Sequence, residues 1–479
     1  MNNRYHFRIV PIVLLLLFQW TAMAQQIIVR PYLQPGNASG LGKEEKVLIW
    51  QAVGVPADFK VTYTGGRSFD DQKKVREAKV TSEVFNMGGV ISRIYRATLN
   101  RLVLDSVFVY DVNLNGKSIA SEWFYTRTTR DRTKFAVVGD SGEGSKEQAA
   151  IAYQMYKTNP DYVLIVGDIV YETGLAREYL RNFFPYYMAT EASPERGAPL
   201  MGKIPFYSVI GNHDVLSDDL DKYADGLAYF HYMDLPLNAP VGEFYLKPKG
   251  GNDAIKNFKS ITRPRYPSMT NYSFDYGNVH IAVLDSNPYT APLDPQLLPW
   301  LINDLKSSKA DWKLVSFHHP GFNSNSAHND DQLMRLLSPI LEELNVDLVL
   351  SGHVHNYQRT VPLLFNPKKD ASGKQYVISA EGRVDGEFTL DTTFDGATNT
   401  KPKGIIYIIT GAGGAPLYDD RLTNRPDQWL NGPQSENPFT IRMVSDRHSF
   451  TLIETKGRSL TLKQIDKEGN VFDEIKLTK

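Results

Sequence analysis

The sequence predicts two parts in series: an all-β sandwich, then an α/β domain whose sheets are covered on both faces. Three observations carry this. Short alternating segments with turn signals fill residues 27 to about 130. From residue 134 continuous apolar runs alternate with helical stretches. The chain has 479 residues, 42% of them hydrophobic and 22% charged, which suits folded globular structure and exceeds one simple core.

The first 24 residues read as a signal peptide. Arg4 and Arg8 precede the apolar stretch Ile9 to Phe18, and Ala22-Met23-Ala24 supplies a small-x-small cleavage site. The stretch is about half of the ~20 apolar residues that a spanning helix needs. A short membrane anchor is the alternative reading. With no cysteines, disulfides, thiol catalysis, Cys-ligated zinc and a disulfide-linked dimer are excluded. Export without cysteine points to a bacterial periplasmic or secreted protein. The net charge of −1 gives no long-range attraction to nucleic acid or to an anionic membrane. Neither nucleic-acid binding nor stable membrane insertion is expected.

Within residues 25–130, VLIW, FKVTYTG and SVFVYDVNL alternate in character, and Pro35-Gly36, Gly65-Gly66 and Asn115-Gly116 mark turns between them. A sandwich of about 100 residues follows. In residues 131–479, FAVVGD, YVLIVGD, FYSVIGNHD, VHIAVLDS, KLVSFHHP and DLVLSGHVH read as buried strands. Helices are expected over 146–156, 175–189, 296–308 and 331–344. A C-terminal β segment, 404–479, opens with GIIYIITGAGG, and SFTLIET, SLTLKQI and VFDEIKL finish a second sheet. The stretches 217–262 and 363–402 read as loops or insertions with local strands.

Polar residues recur where strands end. Asp140 ends FAVVGD. Asp168 ends YVLIVGD, with Tyr171 three further on. Asn212 and His213 end FYSVIGN, His318 and His319 end KLVSF, and His353 and His355 end LVLSG. Ligands bind in the crevice at the carboxyl ends of open α/β sheets, so these strands can build one site from distant sequence. Gly139, Gly167, Gly211 and Gly352 each precede one of these residues, and a missing Cβ permits close approach. Taken singly, each Gly-Asp is an ordinary turn and each histidine an ordinary surface residue. Jointly, five of the nine histidines beyond the targeting segment follow strand-like runs. Carboxylates, an amide and imidazoles suit Fe, Zn or Mn, and the number of donors exceeds what one open catalytic ion holds.

GDSG, GDIVY, GNHD, the His of VSFHHP and GHVH, in this order over 134–356, resemble the metal-binding blocks of the purple acid phosphatases, within the calcineurin-like metallophosphoesterases. The N-terminal sandwich is similar to the fibronectin-III-like domain of the plant-type enzymes. The resemblance implies two mixed β-sheets flanked by helices, a four-layer αββα sandwich. It implies a dinuclear centre of Fe(III) and a divalent Fe, Zn or Mn ion. Asp140, Tyr171 and His355 would hold the ferric ion, Asn212, His318 and His353 the divalent ion, and Asp168 would bridge them. It further implies hydrolysis of a small phosphate monoester by a metal-bound hydroxide at acidic pH. His213 is the first candidate to assist the leaving group, with Asp214 orienting it. His328 is the second, and Ala327 stands where plant-type members carry another histidine. His319 falls outside the ligand set. Two other readings use the same residues: a metallophosphodiesterase with Mn or Zn, and a non-catalytic exported protein that binds phosphate or glycan.

Overall fold

A computed structural model describes residues 26–479. The expected signal peptide lies outside the described residues.

The N-terminal part is two four-stranded antiparallel sheets. One orders Ile27–Gln34, Lys46–Val53, Val90–Leu99 and Val80–Met87; the other orders Arg76–Ala78, Phe59–Gly65, Val107–Leu114 and Lys117–Tyr125. Between them Leu48, Trp50, Phe59, Tyr95, Phe108 and Phe124 pack as one core. The first sheet departs from simple alternation because both of its faces are covered. Leu48, Trp50 and Ala52 face the sandwich core, whereas Val47 and Ile49 join the core of the α/β part. Tyr32 and Ile94 do the same from neighbouring strands. A polar clamp reinforces this contact. Arg127, fully buried, donates to the carbonyls of Ser39, Gly40, Lys43 and Asp275 and pairs with Glu44 at 2.6 Å.

The α/β part contains two mixed sheets. The six-stranded sheet pairs Phe206–Val209, Tyr162–Val166 and Arg132–Val138 in parallel, then adds Ser449–Lys456, Ser459–Asp466 and Val471–Thr478 antiparallel. The C-terminal strands therefore complete the sheet that Arg132–Val138 begins. The seven-stranded sheet is centred on the parallel strands Val279–Val283, Trp312–Ser316, Leu348–Ser351 and Ile406–Thr410. Helix Lys146–Thr158 starts at Ser145, whose hydroxyl accepts from the Gln148 N–H, and ends at the left-handed Asn159. Helix Leu297–Ser307 lies where expected.

Two expected helices are broken for local reasons. Over 176–187 the helix opens into a π-turn at Tyr179–Phe183, just before Pro185, which has no N–H to close the ladder. Over 331–344 a 3₁₀ turn, Leu333–Leu337, precedes Ser338–Glu343, with Pro339 at the junction. The stretch 217–262 ends in helix Asn252–Thr262, which its polar composition concealed. The stretch 363–402 holds the hairpin Leu363–Pro367 with Gly386–Leu390.

One buried ion cluster predicts a pH dependence of stability. Burial depresses the His280 imidazole, but bonds to Asp275 at 2.7 Å and Asp304 at 2.9 Å outweigh it and hold it up at about 9. The folded state thus holds this proton more tightly than the unfolded chain, where histidine titrates near 6.5. The contribution is complete below about pH 6.5 and is lost as pH rises through about 9. His280→Gln should cost on the order of 3 kcal/mol in urea unfolding at pH 6 and much less at pH 10. An equal cost at both pH values contradicts this.

Candidate metal centre

The strand ends of the two sheets meet at one place. Asp140, Asp168 and Asn212 come from the six-stranded sheet; His318, His353 and His355 come from the seven-stranded one. Tyr171 Oη lies 3.2 Å from Asp140 Oδ1, 3.2 Å from Asp168 Oδ2 and 3.0 Å from His355 Nε2. His318 Nε2 lies 3.1 Å from Asn212 Oδ1 and 3.2 Å from Asp168 Oδ2. Asp168, His318 and His353 offer ligand atoms within 4.8 Å of one another. The seven candidate ligands thus form two groups, one around Tyr171 and one around His318, with Asp168 common to both.

Backbone geometry holds these side chains in place. Asp140, Asp168 and His353 have φ of 56°, 49° and 69°, left-handed conformations that cost about 1–3 kcal/mol each in a side-chain-bearing residue. The His353 N–H donates to both Asp140 oxygens, at 3.0 and 2.9 Å, and the His213 N–H donates to Asp168 Oδ1 at 2.9 Å. Glycine is needed where chains cross. A Cβ on Gly211 would overlap Asp168 Oδ1 and the Asp168 N, and one on Gly352 would sit 2.6 Å from Asp140 Oδ2.

The imidazoles are oriented from behind. His318 Nδ1 donates to the Val166 carbonyl and His355 Nδ1 to the Pro416 carbonyl, each at 2.8 Å. Both rings therefore turn an Nε2 lone pair to the centre, as metal-ligating histidines do. His353 Nε2 is 3.2 Å from Asp331 Oδ2, which leaves Nδ1 as its free lone pair. His319 bonds Ser286 Oγ at 3.0 Å and packs 4.3 Å from the His353 ring, so it supports that ring from the side.

The electrostatics fit a bound cation. Burial pushes the Asp140 carboxyl well up, partly offset by His318 and reinforced by Asp168. Burial, Asp168 and Asp140 likewise raise the Tyr171 phenol. Burial pulls His353 and His355 down to about 4, keeping both neutral and able to coordinate. Two buried carboxylates and a phenol oxygen in mutual contact are unfavourable unless positive charge lies between them. Hard oxygen donors and imidazole lone pairs converging on that space are the donor set of Fe, Zn or Mn.

The three residues read as acid–base candidates separate. His213 and His328 flank the centre, with rings 4.5 Å from Tyr171 and 4.0 Å from His353. His213 Nδ1 bonds the Glu172 carbonyl at 2.6 Å, leaving Nε2 outward. His328 bonds Tyr418 Oη at 3.3 Å and Asp331 at 3.4 Å. Asp214 does not orient His213, contrary to expectation. Its buried carboxylate accepts from the N–H groups of Ile169 at 3.0 Å and Gly211 at 2.9 Å, tying the Asp168 loop to the Asn212 loop. Sequence reasoning missed Asp331 and Tyr418. Asp331 carries a signal, three residues after His328. Tyr418 stacks on His355 at 4.3 Å and 8°, and a lone loop tyrosine announces nothing.

Residues 133–357 match the calcineurin-like phosphoesterase family. This segment is a calcineurin-like phosphoesterase domain. Purple acid phosphatases are among the relatives that the chain resembles. Purple acid phosphatase 17 of Arabidopsis thaliana is 34% identical over 230 residues, which is 47% of this chain and 62% of that protein, under two thirds of its length. The purple acid phosphatase of Glycine max is 25% identical over 79% of this chain and 76% of its own. Among solved structures, a purple acid phosphatase from yellow lupin (Lupinus luteus) seeds shares the fold, with a TM-score of 0.60 and 16% identity, covering 94% of this chain and 74% of that one. Among the described residues no helix is long and apolar enough to cross a membrane.

Gly211→Ala forces the Asp168 carboxylate off the centre. It should lower bound metal by at least tenfold, measured by elemental analysis, while the far-UV circular dichroism spectrum stays native. Full metal retention contradicts the close packing described.

Proposed function

We propose that this protein is an exported acid phosphatase that hydrolyses small phosphate monoesters at a centre of one ferric and one divalent ion. The observation that carries the reading is the division of seven donors into two groups sharing Asp168, with Tyr171 in only one of them. Asp140, Tyr171 and His355 would hold the ferric ion, and Asn212, His318 and His353 the divalent Fe, Zn or Mn. Asp168 would belong to both. When bound, the two ions supply an acidified water and positive charge for the phosphoryl oxygens. The ferric assignment rests on Tyr171: a buried phenol raised by two carboxylates becomes a phenolate only beside a strong cation.

The remaining roles belong to side chains at the rim. The Glu172 carbonyl fixes the Nδ1–H of His213, so the proton that His213 can pass to a leaving oxygen sits on Nε2. Tyr418 and Asp331 hold the His328 ring beside the same opening. His319 and Ser286 keep the His353 ring from turning away. The fibronectin-III-like unit 25–130 would brace the catalytic unit 131–479 through its covered sheet. The N-terminal pattern of Arg4, Arg8 and the apolar stretch supports a periplasmic or secreted location.

Two assays test this reading. The purified protein should hydrolyse a chromogenic monoester at acidic pH at least tenfold faster, in kcat/KM, than the matching diester. The reverse ranking makes it a diesterase, and metal retained without hydrolysis of either makes it a binding protein. Tyr171→Phe should abolish the visible absorption band of the iron-loaded protein. An unchanged band contradicts phenolate coordination.

A further inference from the structure

Five arginines are buried among the described residues: Arg96, Arg127, Arg265, Arg335 and Arg359. Four have a carboxylate within ion-pair distance. Glu83 serves Arg96 and Arg265, Glu44 serves Arg127, and Asp473 serves Arg359. Arg335, only 6% exposed, has none among the described residues. Its Nε donates to the Gly321 carbonyl at 2.6 Å and Nη1 reaches the Val384 carbonyl at 3.4 Å. Nη2 donates to no acceptor among the described residues. The rings of Phe322, Phe365 and Phe388, at 4.9, 5.5 and 5.7 Å, line its faces. Such contacts offset part of the desolvation of a cation; a buried charge without a counter-charge remains unfavourable.

Arg335 borders a polar cavity of about 600 Å³. Arg383, Asn431 and Asn437 share its wall, as does Asn329, whose Oδ1 is buried with no hydrogen-bond partner. Two acids also border it. Asp330 is taken up by Arg383, and Asp385 lies beyond ion-pair distance of Arg335. The unsatisfied groups are therefore a guanidinium edge and an amide oxygen, complementary to an oxyanion with an adjoining hydroxyl. The cavity also adjoins the metal centre. Asn329, Asp330 and Gln332 line it, while His328 and Asp331 on the same short segment reach His353.

We propose that this cavity is an oxyanion subsite, in which Arg335, backed by Arg383, takes a second anionic group of the ester cleaved at the neighbouring centre. The proposal rests on the phosphatase reading for the identity of its ligand and on the unpaired guanidinium for its chemistry. Arg383 and Asp385 belong to the 363–402 insertion, so the subsite joins that insertion to the loop after His318.

The test compares two phenyl phosphates that differ only in the leaving group, one bearing a carboxylate and the other the neutral amide. Arg335→Met keeps the packing volume and removes the charge; Arg383→Gln changes an exposed side chain. KM for the carboxylate ester should rise roughly 10- to 100-fold in Arg335→Met, and by less in Arg383→Gln. kcat, and KM for the amide ester, should stay at wild-type values. Arg335→Lys should recover part of the loss. Equal changes for both esters, or none, overturn the proposal. If Arg335→Met does not fold, the comparison is made with Arg383→Gln and Arg335→Lys, and the same split decides. If the wild type cleaves neither ester, the phosphatase reading fails. The subsite is then judged by sulfate binding to the protein as purified, wild type against the arginine variants, measured by calorimetry. Affinity at least tenfold weaker in the arginine variants upholds an oxyanion site, and unchanged affinity removes it.

Discussion

Two carboxylates, Asp140 and Asp168, are buried against one phenol at the joint of two sheets, and no lysine or arginine pairs with either of them among the described residues. That like-charged contact is the constraint on which the rest of the site depends. The His318 imidazole, 3.2 Å from Asp168, offsets part of it, and bound cations would offset the rest; the protein supplies the other conditions for them. Backbone N–H groups of His353 and His213 aim the carboxylates. Carbonyls of Val166 and Pro416 turn two imidazole lone pairs inward. Three residues accept left-handed backbone to present their side chains. Strain and close packing of this kind persist only where the surrounding structure over-determines them.

The surrounding structure is stiff for identifiable reasons. The donors stand at the ends of strands that are almost wholly buried, such as Tyr162–Val166 and Leu348–Ser351. Site residues on strand ends are held more closely than residues on long loops. The sandwich adds a second support. Its first sheet is covered on both faces, and the Arg127 clamp, with the Glu83 cluster of Arg96 and Arg265, ties it to the α/β part. Asp214 plays an internal version of the same part, since one buried carboxylate joins the two loops that carry Asp168 and Asn212.

The sequence was most legible where one local rule acted alone. Buried strands ending in Gly-Asp, Gly-Asn or Gly-His could be read directly, because burial forces apolar runs and close approach forces glycine. The placing of Asp140, Asp168, Asn212 and His353 at strand ends was legible for the same reason, whereas the grouping of Tyr171, His318 and His355 with them came from the family resemblance. Legibility failed where tertiary contacts decide. Asp214 beside His213 looked like a partner, yet a 3₁₀ turn directs its carboxylate to backbone N–H groups. Tyr418 reaches the site from a separate loop with nothing local to mark it, whereas Asp331 is marked only by its spacing, three residues after His328. Pro185 and Pro339 were visible, but whether a proline ends a helix or only distorts it depends on what packs around it. Helix Asn252–Thr262 carries Ala254, Ile255, Phe258 and Ile261 at helical spacing, a period that the polar residues between them and the irregular stretch before them obscured.

The central claim is that Asp168 stands between two cations. Metal stoichiometry measures this most directly, by elemental mass spectrometry of protein purified with iron, zinc and manganese all available. The account predicts two metal ions per chain, one of them iron, with both lost together in Asp168→Ala. One ion or none per chain in the wild type would contradict it.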